Sequence, residues 1–237
     1  MSQPAETRVS ALAVLIPAYH AERSLPALLG ELRAALPGAP VLVLDDGSRD
    51  GTAACAAAAG AEVFSHLRNQ GKGAALRRGW DLLFKRGHAA VLCLDADGQH
   101  DPAEAGRFVE LWEREQPDLI VGDRGLAAAP MAWDRRLSNR LSTGLLNRAS
   151  GLELRDSQCG FRLLGRGLWQ RLRLTGRAFD LESQLLLQAA RLGATVRQVP
   201  VRQRPAVVPS HIRRLPDSLR FLGRLLEARL AHPGEDA

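Results

Sequence analysis

The stretch AVLCLDADGQH, residues 90–100, decides the fold of this chain. Its first five residues are apolar and have the length of a buried strand, and two aspartates follow within three residues. An apolar run of this length is typical of a buried strand. We therefore expect the aspartates at the carboxyl end of a buried strand, where open α/β sheets bind their ligands.

The segments around this stretch alternate between short apolar runs and longer amphipathic runs. The predicted strands cover residues 11–16, 41–44, 62–65, 90–94 and 118–121. The predicted helices cover residues 24–35, 50–59, 73–85, 102–114, 134–148 and 181–192. This alternation predicts the α/β class, with an open, mostly parallel, Rossmann-like sheet and helices on both of its faces.

Composition limits the architecture and the kind of partner. The 237 residues are 46% hydrophobic, which suits one globular domain, predicted over 1–209, with a basic segment at 210–237. The net charge of +6 favours an anionic partner. Nucleic acid is disfavoured because the few aromatic residues are not interleaved with arginines. The three cysteines lack C-x-x-C spacing, which argues against a zinc site and a disulfide framework.

The aspartates that follow the predicted strand 90–94 have the chemistry of a divalent-cation site. Asp95 and Asp97 offer carboxylate oxygens, and the amide oxygen of Gln99 lies two residues further on. Such oxygens suit Mg²⁺ or Mn²⁺, which neutralise a diphosphate leaving group. Asp97 is the better ligand candidate. The alternative is an acidic turn exposed to solvent.

Two further loops carry candidate groups for a nucleotide. Asp45 and Asp46 end the second predicted strand, and their carboxylates can accept hydrogen bonds from a base or a ribose. Lys72 lies between two glycines just before a predicted helix, where backbone N–H groups favour phosphate. Simple turns with helix caps are the alternative interpretation of both loops.

Five motifs together resemble the family 2 glycosyltransferases, and in particular the branch of polyprenyl-phosphate mannose and glucose synthases. They are Leu15-Ile16-Pro17-Ala18-Tyr19, Asp45-Asp46-Gly47-Ser48, Gly71-Lys72-Gly73, Asp95-Ala96-Asp97-Gly98-Gln99-His100 and Asp156-Ser157-Gln158-Cys159-Gly160-Phe161-Arg162. The resemblance covers roughly residues 12–213. It implies a GT-A fold over residues 1–209, a nucleotide-sugar donor and a polyprenyl-phosphate acceptor.

The resemblance also implies roles for single residues. The nucleoside pocket would be lined by Pro17, Tyr19, Glu22 and Asp46. The metal and the donor diphosphate would be held by Asp95, Asp97 and Gln99. The acceptor phosphate would be received by Arg124 and Arg135, and Arg213 would close over the diphosphate. Lys72 is added to the candidate donor-binding residues because it lies just before a predicted helix, where backbone N–H groups favour phosphate.

The expected reaction is inverting transfer of a hexose from a UDP- or GDP-sugar to a polyprenyl phosphate. A phosphate oxygen is already anionic, so it needs no strong base. The alternative is a hydroxyl acceptor, for which Asp156, Asp180 or Glu182 would serve as the base. The bulky Gln158-Cys159-Gly160 triplet favours the glucose type or uncharacterised bacterial relatives over the mannose type. A nucleotide-sugar-binding protein without turnover is the alternative outside the enzymes.

The C-terminal segment has the pattern of an amphipathic helix. Its leucines recur every three or four residues at Leu215, Leu219, Leu222, Leu226 and Leu230, and arginines outnumber acids. This composition predicts a helix in the interface of an anionic membrane. The alternatives are packing on the main domain or a homodimer. No membrane span or signal peptide is expected, so we place the chain in the cytoplasm, attached peripherally to the inner face of the cell membrane.

Overall fold

The computed structural model describes residues 11–125, 133–176 and 180–205. The strands are β1 (Leu12–Ala18), β2 (Val41–Asp45), β3 (Glu62–Ser65), β4 (Ala90–Cys93), β5 (Leu119–Asp123), β6 (Arg162–Gly165) and β7 (Val196–Pro200). The helices are α1 (Leu25–Ala35), α2 (Thr52–Ala58), α3 (Lys72–Lys85), α4 (Ala105–Glu115), α5 (Trp133–Ser150), α6 (Arg166–Arg171) and α7 (Asp180–Arg191). A 3₁₀ turn, Pro102–Glu104, precedes α4.

The strands form one sheet in the order β3-β2-β1-β4-β6-β5-β7. All neighbouring pairs are parallel except the two that include β6, which is antiparallel to both β4 and β5. The predicted mostly parallel α/β sheet is therefore confirmed. The sequence pattern did not predict β6 or β7, and it did not predict the short helix α6.

The direction of the chain across the sheet reverses between β1 and β4. The connections from β1 to β3 move toward one edge, whereas the connection from β3 to β4 crosses back. Because such crossovers are right-handed, α1 and α2 lie on one face and α3 on the other. A sheet that reverses in this way opens a crevice at the carboxyl ends of the two central strands.

The core explains why the central strands lack polar residues. Every residue of β1 and β4 is buried, and so are Leu25, Leu28, Leu29 and Leu32 of α1. Ser24, the residue before α1, makes no capping hydrogen bond, and its hydroxyl instead donates to the carbonyls of Ala21 and Ala96. No described helix combines the length and the apolar character needed to cross a bilayer. Residues 206–237, including the C-terminal leucines, lie outside the described residues.

Candidate active site

The crevice brings together loops from four strands. β1 and β2 end side by side at Ala18 and Asp45, and the acidic turn 95–97 follows β4. Because β6 runs antiparallel, it begins where β4 and β5 end, with Arg162 opposite both Cys93 and Val121. The loop before β6, residues 156–161, therefore reaches the same edge. The motifs that are scattered along the sequence meet at one end of the sheet.

A cluster of alternating charges lies at the centre of the crevice. The Lys72 Nζ is 2.7 Å from Oδ1 of Asp95 and 2.9 Å from Oε1 of Glu182. Nε2 of His100 is 3.6 Å from the other carboxylate oxygen of Asp95. Lys72 begins α3 and Glu182 lies in the first turn of α7, so the packing of these two helices assembles the cluster.

The cluster controls the ionisation of its members. Burial alone would raise the pKa of Asp95, but the ammonium of Lys72 and the nearby His100 hold it well below its usual value. Burial alone would lower the pKa of Lys72, but Asp95 and Glu182 raise it above its ordinary value. The lysine therefore stays a cation and Asp95 stays an anion throughout the neutral range.

Asp97 has the environment of a cation ligand. Burial is the larger cause that raises the pKa of Asp97, and the negative potential of the Asp95 carboxylate adds to it. Its Oδ1 accepts the backbone N–H of Gln99 at 2.9 Å. Within the described ranges, no basic side chain forms an ion pair with Asp97. A divalent cation would relieve this potential, so the residues present fit a metal held chiefly by Asp97.

The protein supplies few metal ligands of its own. Among the described residues, no three His, Cys, Asp or Glu side chains form a group that could hold a metal ion. Asp95 already pairs with Lys72, and Gln99 lies in the same turn as Asp97. The remaining ligands would be oxygens of a bound diphosphate or water, as is common for Mg²⁺.

Gly160 allows the acidic turn and the loop before β6 to approach closely. A β-carbon at this position would lie 2.3 Å from a carboxylate oxygen of Asp95. Only glycine leaves the space that the carboxylate occupies. The close approach of Gly160 to Asp95 therefore explains why residue 160 is a glycine.

The predicted nucleoside residues lie together on the β1 and β2 side of the crevice. Pro17 is at the end of β1, and the Tyr19 ring stacks on His20 with ring centroids 4.1 Å apart. Glu22 accepts the backbone N–H of Gly51 at 2.8 Å. The structure therefore brings these predicted residues to one place.

Asp46 organises the loop that leads to Lys72. Its Oδ1 accepts the backbone N–H of Gln70 at 2.9 Å, and its Oδ2 accepts that of Gly71 at 2.7 Å. The Nδ1 of His66 lies 2.7 Å from Oδ1. The carboxylate is nearly fully buried, so its visible role is to fix the start of α3.

Arg124 lies on the opposite side of the crevice, directly after β5. Its Nε donates to Oδ2 of Asp156 at 2.6 Å and its Nη2 donates to Oδ1 at 3.0 Å. Burial alone would lower the pKa of Arg124, but the hydrogen bonds that it donates to Asp156 raise this pKa above its ordinary value. The sequence interpretation of Asp156 as a base did not include this pairing.

Other predicted residues are only partly placed. Arg135 belongs to α5, but its side chain, like that of Asp180, is outside the described part of the chain, and so is Arg213. Glu182 was considered only as a base, whereas the structure places it against Lys72 and 3.9 Å from Arg162. Nothing near Glu182 in the sequence indicates these partners, because they lie on distant elements.

The fold is the GT-A fold of glycosyltransferases. A family model for glycosyl transferase family 2 matches residues 13–173, and the chain belongs to this family. This confirms the family that the five motifs indicated.

The relatives of this chain give more detail. It is 29% identical over 200 residues to a polyprenol monophosphomannose synthase of Mycolicibacterium smegmatis, covering 79% of this chain and 75% of the relative. It is 30% identical over 198 residues to an undecaprenyl-phosphate mannosyltransferase of Micrococcus luteus, covering 79% and 81%. These relatives match the predicted branch.

A solved structure confirms the fold. Glucosyl-3-phosphoglycerate synthase from Mycobacterium tuberculosis, in complex with Mn²⁺, UDP-glucose and phosphoglyceric acid, superposes with a TM-score of 0.74. The match covers 99% of this chain and 87% of that chain at 22% identity. Identity at this level shows the shared fold and no more.

Proposed function

We propose that this protein transfers a hexose from a UDP- or GDP-sugar to a polyprenyl phosphate, with inversion at the anomeric carbon. The oxygen of the lipid phosphate forms the new bond to the anomeric carbon, and the bond from that carbon to the nucleoside diphosphate breaks. The names of the two relatives, both of which use polyprenyl phosphates, support this acceptor.

One structural observation favours a phosphate acceptor over a hydroxyl acceptor. Asp156 is fully buried, and both of its carboxylate oxygens accept hydrogen bonds from Arg124. Glu182 is buried between Lys72 and Arg162. A hydroxyl must lose its proton as it attacks, and these candidate bases are held in ion pairs. An anionic phosphate oxygen attacks without a base, so it suits the groups that are present.

The residues of the crevice have separate tasks in this reaction. A bound Mg²⁺ or Mn²⁺, held by Asp97 with Asp95 and Gln99 beside it, would neutralise the charge that develops on the leaving diphosphate. Lys72 supplies a second positive charge on the same side. Pro17, Tyr19, Glu22 and Asp46 shape the nucleoside end. Arg124 and Arg135 recognise the acceptor phosphate, and Arg213 closes over the diphosphate.

The acceptor phosphate lies at the surface of a membrane, so the protein must reach that surface. We assign this contact to the cytoplasmic face, with the chain attached peripherally. The basic, leucine-rich segment 210–237 supports this assignment through its composition.

The test is an acceptor competition with UDP- and GDP-hexoses and a divalent cation. A short polyprenyl phosphate is compared with the matching polyprenol and with a soluble glycan. We expect a product with the phosphate alone, and NMR of this product should show the inverted anomer. Transfer to the polyprenol or the glycan at an equal rate would refute the proposal and favour the hydroxyl acceptor.

A further inference from the structure

Helix α5 exposes an apolar face that the fold does not use. Four large side chains recur at every fourth position, and we call them the leucine face: Trp133, Leu137, Leu141 and Leu145. Their exposed fractions are 77%, 50%, 59% and 45%, respectively. In the described ranges, Leu67 is the only other large apolar side chain with comparable exposure. The face is therefore the main apolar surface of this part of the protein.

The opposite side of α5 already makes the contacts that hold the helix in place. Leu146 is fully buried, and the hydroxyl of Thr143 lies 3.0 Å from that of Ser157. Asn147 donates to the carbonyl of Leu154 and accepts its N–H. At 100° per residue, Thr143 and Leu146 lie on the side of the helix away from the leucine face. Because that inner side is already packed, the exposed apolar face needs a second partner.

The charges beside the leucine face indicate what that partner is. Arg140 and Arg148 are exposed on α5, whose sequence contains four arginines and one acidic residue, Asp134. Exposed leucines accompanied by arginines are typical of helices that lie in the interface of an anionic bilayer. Trp133, at the N-terminal end, is the kind of residue that favours the boundary between headgroups and acyl chains. A protein partner would instead need acidic groups to match these arginines.

We propose that the leucine face of α5 docks onto the surface of an anionic lipid bilayer. This inference rests on the proposed function, because a lipid-borne acceptor gives the contact its purpose. The proposed contact surface is the leucine face of α5, and it does not include residues of segment 210–237.

The position of α5 connects this contact to the acceptor side of the crevice. The Thr143 hydroxyl accepts the backbone N–H of Ser157 at 3.1 Å. Ser157 is next to Asp156, which holds Arg124. A helix bound to lipid through its outer face would therefore present its inner face to the loop that positions the acceptor arginine. Docking would place the proposed acceptor site beside the membrane surface.

The test uses the full chain with Leu137→Gln, Leu141→Gln and Leu145→Gln combined. The matched control replaces two exposed residues of another helix, Ala27→Gln and Ala34→Gln on α1. Flotation is measured with vesicles of phosphatidylglycerol and phosphatidylcholine. We expect the triple variant to bind about tenfold less or weaker still, since three leucines lose their apolar burial. The control should bind like the unchanged protein.

Two further measurements keep the outcomes distinct. Transfer to a short, water-soluble polyprenyl phosphate should be the same for all three proteins, and its absence in all three would count against the proposed function instead. Light scattering measures the oligomeric state. Equal flotation of the triple variant and the unchanged protein, or no flotation of the latter, would overturn the proposal. A dimer that only the triple variant loses would assign the leucine face to a second copy and overturn it as well.

Discussion

Arg124 and Asp156 form a buried, bidentate ion pair, with only 9% of the arginine side chain and none of the aspartate side chain exposed to solvent. The carboxylate fixes the plane of the guanidinium through two hydrogen bonds. An arginine fixed in this way loses little additional freedom when it binds a second anion. The pair therefore holds the Arg124 side chain in one orientation, as the proposed recognition of the acceptor phosphate requires.

Replacing Arg124 with alanine should weaken acceptor binding and also destabilise the fold. We expect the KM for the acceptor to rise more than the KM for the donor. The free energy of unfolding should fall by about 3–5 kcal/mol, because Asp156 is left buried without its partner. Arg135→Ala should raise the KM for the acceptor as well. Steady-state kinetics and denaturant melts test both, and an unchanged KM for the acceptor in both variants would refute the assigned role.

Replacing Asp97 with alanine should abolish transfer while the fold is retained, because this carboxylate is the proposed principal metal ligand. Asp95→Ala should be impaired too. Glu113→Ala, a change at an exposed acid of α4, is the control. EDTA should stop the unchanged protein, and added Mn²⁺ should restore it. Full activity of Asp97→Ala in the presence of the chelator would disprove the metal assignment.

Gly160→Ala should impair catalysis without unfolding the protein. The new methyl group would displace the carboxylate of Asp95, which is the movable end of a side chain, so the melting temperature should change little. Misplacing a group beside the leaving diphosphate can cost on the order of 100-fold in rate. Gly167→Ala is the control because an added β-carbon there meets no atom within 4 Å. Equal kcat values for the two variants would contradict the proposed contact.

Lys72→Met should slow transfer by roughly 10- to 100-fold, the cost of one lost charged hydrogen bond to the diphosphate. The chain has one other lysine, Lys85, at the far end of the same helix, where it is exposed and pairs with Asp81. Lys85→Met should therefore behave like the unchanged protein. If both variants transfer sugar at the normal rate, Lys72 has no part in donor binding.

The C-terminal segment should strengthen attachment to anionic membranes. A chain that ends at Arg214 should float less with anionic vesicles than the full chain, because it lacks the leucines from Leu215 to Leu230. Salt should weaken the binding of the full chain by screening its arginines. Equal flotation of the two chains would exclude the segment as an anchor.

The sequence predicted the first half of the fold well because its signals are local. Each strand from β1 to β5 is followed by its own helix, and all of these strands except β3 are largely apolar runs. The strand 62–65 was predicted with its observed bounds. The second half depends on contacts between distant segments. β6 has only four residues and is antiparallel to both of its neighbours. The sequence of Arg162–Gly165 does not indicate in which direction the strand runs.

The same distinction applies to the site. The acidic turn and Lys72 were recognised because each directly adjoins a predicted element. The pairing of Lys72 with Glu182, and of Arg124 with Asp156, joins residues from separate helices and loops. Sequence reasoning therefore named the charged groups, but it considered Asp156 and Glu182 only as candidate bases for the alternative hydroxyl acceptor, a role that their observed partners disfavour.

The antiparallel strand β6 has a mechanical consequence. It is hydrogen-bonded on one side to β4, which carries the acidic turn, and on the other to β5, which leads to Arg124. The spacing between the leaving group's side and the incoming phosphate's side is thereby set by main-chain ladders and not by surface loops. Loops at either end of the crevice can diverge to accept another base, sugar or lipid while the distance over which the sugar travels stays constant.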